Sequence, residues 1–110
     1  PSIFGVRPVG AGIFVSGVVD VAGVRFDPVV MRNMLYIYLK QGELNLTQLR
    51  EEYIREFGVK LSWNTVIRYH YFLEYKDLIT CKGEKPKYCT VTKCGEEFVF
   101  VVDTALAMLR

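Results

Sequence analysis

The sequence predicts an α+β domain: a strand-like arm, three helices, a β-hairpin and a final helix. Three observations predict it. Apolar residues recur at helical spacing in four segments, each opened by a side chain that can cap a helix. Two strand-like runs, LITCKG and KYCTVT, flank the charged, proline-bearing turn EKP, the signature of a hairpin. Only Gly58 to Leu61 separate the second and third helical segments. Two helices joined by so short a glycine-bearing turn form a helix-turn-helix.

The arm comes first. Residues 1–26 hold five of the nine glycines, many valines and almost no charge. The runs IFGV, GIFVSGVV and VRFD suit one or two short strands broken by glycine. A ribbon of this size is not stable alone, so it must lie on the body or on a partner chain. The apolar run from Val9 to Val19 is too short for a bilayer and holds three glycines. No clustered basic region precedes it, so it does not read as a signal peptide. The expected division is an arm at 1–26 and a folded domain at 27–110.

Asp27-Pro28 opens the first helix, aspartate as N-cap and proline at the first helical position. Val30, Met31, Met34, Leu35, Tyr38 and Leu39 share one face, and Gly42 closes the helix. Thr47 is the expected cap of the second helix, with Leu49, Tyr53, Ile54 and Phe57 behind it and Gly58 at its end. Ser62 caps the third, SWNTVIRYHYFLEYK, residues 62–76. Here Val66, Tyr69, His70 and Leu73 fall on one side; Ser62, Trp63, Asn64, Ile67, Arg68 and Tyr71 fall towards the other. The hairpin spans 79–91. Thr92 caps the last helix, with Glu96 and Glu97 where the helix dipole favours acids. Phe98, Val101, Val102, Ala105, Leu106 and Leu109 make its apolar side.

Charge is uneven along the 110 residues. The net charge is only +2, yet residues 60–93 hold seven basic against three acidic side chains. Residues 1–59 are neutral, and the last segment is acidic. At 51% hydrophobic and 14% aromatic the chain can build a core without metals or staples, and it cannot be disordered.

The element order and two local stretches resemble the winged helix-turn-helix of MarR and PadR-like transcriptional regulators. NTVIRYHYFLEYKDLI resembles their recognition-helix stretch, with Thr65-Val66-x-Arg68, Leu73-Glu74 and a closing Leu78-Ile79. KYCTVTKCGEEFV is similar to the end of their wing and the start of their last helix, with Tyr88, Thr92 and Gly95. The resemblance covers residues 28–110. Asp77 departs from it, standing where those families often carry glycine, and the turn after the third helix is therefore expected to differ. Residues 1–26 have no counterpart.

The resemblance implies that the third helix enters a DNA major groove with its N-terminal residues over base edges. Asn64 suits adenine and Arg68 suits guanine, each through two hydrogen bonds. Ser62 and Thr65 suit phosphate oxygens at the helix N-terminus. Trp63 and Tyr71 complete the expected face, although tryptophan at a helix start is more often a packing residue. Lys82, Lys85 and Lys87 lie on the hairpin, where a wing meets the DNA backbone and neutralises charge.

The single histidine, His70, falls on the inward side and reads as a core residue. With the turn centred on Lys85, Cys81 and Cys89 lie directly across the hairpin. Their state is open from sequence: buried thiols, a disulfide or redox-sensitive pair, or a metal site. Cytosolic thiols normally stay reduced, with hyperthermophile proteins an exception. Zinc wants a fourth ligand and tight Cys-x-x-Cys pairs, which Cys81, Cys89 and Cys94 do not supply. No metal or other cofactor is expected.

No catalytic constellation is present, and GVRPVGAG lacks the dinucleotide-loop spacing. The expectation is a cytoplasmic, non-enzymatic duplex-DNA binder, sequence-specific, acting as a transcriptional regulator. It is expected to be a homodimer through residues 1–26 and the C-terminal helix, and not a membrane protein. The rival reading is a winged-helix protein-interaction module, since exposed tyrosines also suit protein interfaces and fold alone does not decide function.

Overall fold

The computed structural model describes residues 19–21 and 24–109. Strands β1 (Val19–Val21) and β2 (Val24–Phe26) pair antiparallel. Helices α1 (Pro28–Gln41), α2 (Leu46–Phe57) and α3 (Trp63–Tyr75) follow. The hairpin of β3 (Ile79–Lys82) and β4 (Tyr88–Val91) leads into α4 (Lys93–Met108). Residues 1–18 of the arm lie outside the described residues. Among the described residues no helix is long and apolar enough to cross a membrane.

Local chemistry sets most boundaries. The Asp27 side chain accepts from the Val29 amide at 2.8 Å and Pro28 sits in the first turn. Thr92 Oγ1 accepts from the Gly95 amide at 3.1 Å and donates to the Asp77 carbonyl at 2.6 Å, so the cap of α4 also holds the end of α3. For α2 the cap is Asn45, not Thr47. Asn45 Oδ1 accepts from the Gln48 amide while Gln48 Oε1 accepts from the Asn45 amide. That reciprocal box satisfies two otherwise orphaned amides, an arrangement a cap at Thr47 does not provide here.

The end of α3 closes on a left-handed residue. Asp77 takes the left-handed backbone, with φ 59°. Its amide bonds the Glu74 carbonyl, and the Leu78 amide bonds the Leu73 carbonyl at 2.9 Å. These two bonds form a Schellman closure. Aspartate tolerates the left-handed region better than most residues, so Asp77 can close the helix where glycine is the more usual choice.

The core gathers around α1, which packs against α2, α4 and β4. This central position explains one departure from the one-face reading. Ile37 is buried with Met31, Met34, Leu35 and Tyr38, whereas Leu39 is exposed. On α4, Phe98, Val99 and Val102 are buried, Val101, Ala105 and Leu106 are half-buried, and Leu109 is exposed at the helix end. Arg32 binds Asp103 at 2.7 Å and ties α1 to α4. Gly95 is required by close approach: a Cβ there would run into the Leu78 carbonyl oxygen and the Val91 side chain. Phe26 closes the core from the arm side, stacked on Phe72 with centroids 4.1 Å apart and edge-on to Tyr69 at 5.1 Å. The Tyr69 hydroxyl accepts from the Asp27 amide at 2.8 Å, fixing the chain where it enters α1.

Candidate nucleic-acid interface

The α2–α3 turn sets the helix that carries the site. Gly58 takes φ 70° at the end of α2, and its amide bonds the Ile54 carbonyl. Ser62 then caps α3: its hydroxyl oxygen accepts from the Thr65 amide at 3.1 Å and its proton goes to Thr65 Oγ1 at 2.9 Å. The Ser62 proton is thus engaged in the cap, where a phosphate would have to compete for it, whereas Thr65 Oγ1 only accepts there and keeps its own proton to donate. Trp63 lies beneath the Arg50 guanidinium, 4.9 Å from the ring centroid. Arg50 Nε also donates to the Leu61 carbonyl at 2.7 Å, bracing the turn. Arg50 was not singled out by sequence. It is an ordinary basic residue on α2, and only the packing of α2 against α3 reveals its role.

The two sides of α3 separate cleanly. Val66, Tyr69, His70, Phe72 and Leu73 are buried. Asn64, Ile67, Arg68, Tyr71 and Tyr75 are exposed, Tyr71 by 65% and Tyr75 by 76%. Asn64 and Arg68 stand one turn apart on the outer side. Arg68 makes no ion pair among the described residues. The one acidic residue within α3, Glu74, is engaged by Lys87 Nζ at 2.9 Å.

That bond decides the role of one hairpin lysine. Lys87 is held against α3, whereas Lys82 points to Glu43 at 3.2 Å with most of its side chain exposed. Lys85 lies at the exposed tip. Of the three, Lys82 and Lys85 are exposed, and the half-buried Lys87 couples the hairpin to α3. The hairpin also gains a third short contact. Leu44, just before α2, exchanges both backbone hydrogen bonds with Cys89, at 3.0 and 2.8 Å.

Cys81 and Cys89 face each other in the ladder, Cα atoms 4.0 Å apart, and are joined by a disulfide. Cys94 is a free, exposed thiol. His70 Nε2 lies 3.1 Å from Cys89 Sγ and 3.7 Å from Cys81 Sγ. A disulfide sulfur carries no proton, so Nε2 holds the proton in the neutral ring. Burial pushes the His70 pKa below its ordinary value of 6.5; Glu74 opposes that shift and Lys87 adds to it. The unfolded chain therefore takes up this proton more readily than the native one. The His70 contribution to stability is complete above pH 6.5 and is lost as pH falls through that value towards the lower native pKa. Urea unfolding across this window should show the loss in the wild type and a flatter profile in His70→Gln.

No family model and no curated protein matches the chain. Among solved structures it is similar to F93 from STIV, described as a winged-helix DNA-binding protein, with a TM-score of 0.67 at 14% identity over 74% of this chain and 90% of that one. The fold is a winged helix. In its terms α2 and α3 are the helix pair and β3–β4 is the wing.

Proposed function

We propose that the chain binds duplex DNA, with α3 in the major groove and the β3–β4 wing on the backbone, as a sequence-specific transcriptional regulator in the cytoplasm. The observation that carries this reading is the outer side of α3. It presents Asn64 and Arg68 one turn apart, and its single acid is neutralised by a wing lysine. Asparagine and arginine at a recognition helix suit adenine and guanine edges. Lys82 and Lys85 neutralise phosphates, and Ser62, Thr65 and Trp63 shape the helix start. The similarity to a winged-helix protein described as DNA-binding supports the same reading. The chain acts as a homodimer through residues 1–26 and α4, on which Phe100, Met108 and Leu109 are exposed. Nothing in this role needs catalysis.

A second reading has its own support. Ile67, Tyr71 and Tyr75 make the outer side of α3 more apolar and aromatic than a phosphate-facing surface needs, and such a patch suits a protein partner.

The test is a fluorescence-anisotropy titration of duplex DNA at several salt concentrations. Binding should weaken linearly on a log–log scale, by about 0.9 per phosphate neutralised. Lys82→Ala/Lys85→Ala should make the slope shallower by about 1 to 2. Arg68→Ala should cost about 1–3 kcal/mol on the preferred site and little on random sequence. Absence of duplex binding even at low salt would falsify the DNA reading and turn attention to the aromatic face.

A further inference from the structure

The disulfide and its histidine form a group of three soft-metal ligands that the DNA-binding role does not use. His70 comes from α3, Cys81 from β3 and Cys89 from β4, and their ligand atoms all lie within 4.8 Å of one another. A disulfide needs no imidazole beside it, and an aliphatic side chain would fill the same buried space. Here the only histidine of the chain is 4% exposed, with Nε2 aimed at both sulfurs.

The distances suit a metal. With Zn–S near 2.3 Å and Zn–N near 2.0–2.1 Å, a tetrahedral site sets its sulfur and nitrogen ligands roughly 3.5–3.6 Å apart. The two N···S separations are 3.1 and 3.7 Å. Two sulfurs on such an ion stand roughly 3.8 Å apart, which the paired cysteines reach by side-chain rotation once the S–S bond opens. Sequence spacing missed this group because zinc motifs usually bring two cysteines together in a tight loop. Here the antiparallel register does so across eight positions.

We propose that the reduced protein binds one Zn2+-class ion through His70 Nε2, Cys81 Sγ and Cys89 Sγ, and that the disulfide and the metal are alternative states of the same site. A dithiol reductant gives two electrons and two protons to the Cys81–Cys89 bond and leaves as its own disulfide. As the ion binds, the two thiols release their protons to water and the imidazole proton moves from Nε2 to Nδ1, which frees the Nε2 lone pair for the metal. Two thiolates balance the charge of a divalent ion, so the loaded site is neutral, as burial demands. Cys81 is half-exposed, which opens a path for the ion and for a water as fourth ligand. Glu74, one turn beyond His70, acts electrostatically on the imidazole and also on Tyr38, whose buried hydroxyl has no hydrogen-bond partner among the described residues.

The experiment is a Co2+ titration of the full chain, reduced with a phosphine under argon, beside the oxidised protein. Cobalt bound to thiolate shows a near-ultraviolet charge-transfer band, and its visible bands report four-coordinate geometry. The reduced wild type should develop both at a stoichiometric amount of metal, and Zn2+ should displace them. Oxidised protein should show neither. Cys94→Ser should match the wild type, Cys81→Ser should lose most of the charge-transfer intensity, and His70→Gln should bind about tenfold or more weakly. Metal should also raise the melting temperature of the reduced wild type, a readout that needs no variant. The proposal is overturned if reduced wild type gives no thiolate band, if the oxidised protein gives the same one, or if folded His70→Gln binds as tightly as wild type.

Discussion

Replacing Leu73 by alanine is expected to lower the unfolding free energy by about 2–5 kcal/mol, a large share of the roughly 5–15 kcal/mol that holds a domain of this kind. Leu73 is fully buried on the inner side of α3. Its carbonyl accepts the Leu78 amide that closes the helix, so the residue sits where α3 turns into the wing. Truncation removes its contacts and leaves a cavity that surrounding helices cannot fully close. Urea unfolding should show a lower midpoint with an unchanged slope. Tyr71→Ala, on the exposed side two residues earlier, should stay within about 0.5 kcal/mol of wild type. If both variants lose equal stability, the assignment of inner and outer sides of α3 is wrong.

Opening the Cys81–Cys89 bond in the presence of a chelator is expected to cost about 2–3 kcal/mol. The cysteines are eight positions apart. In the chain-entropy view, closing a loop of that size restricts the unfolded state by about 2.5 kcal/mol at 25 °C. For a domain of this length the melting temperature should fall by about 10–20 °C. Calorimetry with and without reductant checks it. Cys81→Ser/Cys89→Ser should melt near the reduced wild type and no longer respond to reductant. A reduced protein that melts with the oxidised one would show that the bond adds nothing to the wing.

Much of the fold is written in local chemistry. Asp27, Ser62 and Thr92 cap helices because short polar side chains satisfy nearby amides, an effect confined to a few residues. The inward set of α3 follows from helical period. Register across the hairpin follows from a turn centred on Lys85. What escaped was decided between distant segments or between close competitors. Thr47 and Asn45 are both plausible caps, and Gln48 selects Asn45. Leu39 was expected inside, but α1 is covered from several directions, so its buried arc is not one stripe. The Leu44–Cys89 bridge, the Arg50–Trp63 stack and the Lys87–Glu74 bond join residues with no fixed spacing in the chain. The residues expected to face DNA were readable as an outward set. That Lys87 is turned towards α3, and that the Ser62 proton is spent on Thr65 Oγ1, was not readable.

The Leu44 bridge gives the wing an uneven lifetime along its length. Cys89 sits between two neighbours, bonded to Leu44 through backbone and to Cys81 across the ladder. The tip, residues 83–86, lies beyond the Lys82–Glu43 and Lys87–Glu74 bonds. Local opening at that tip costs little and exchanges its amides with deuterium quickly. The Cys89 amide, bonded to Leu44, should exchange only when the wing parts from the α1–α2 junction, and so more slowly than the amides of the tip.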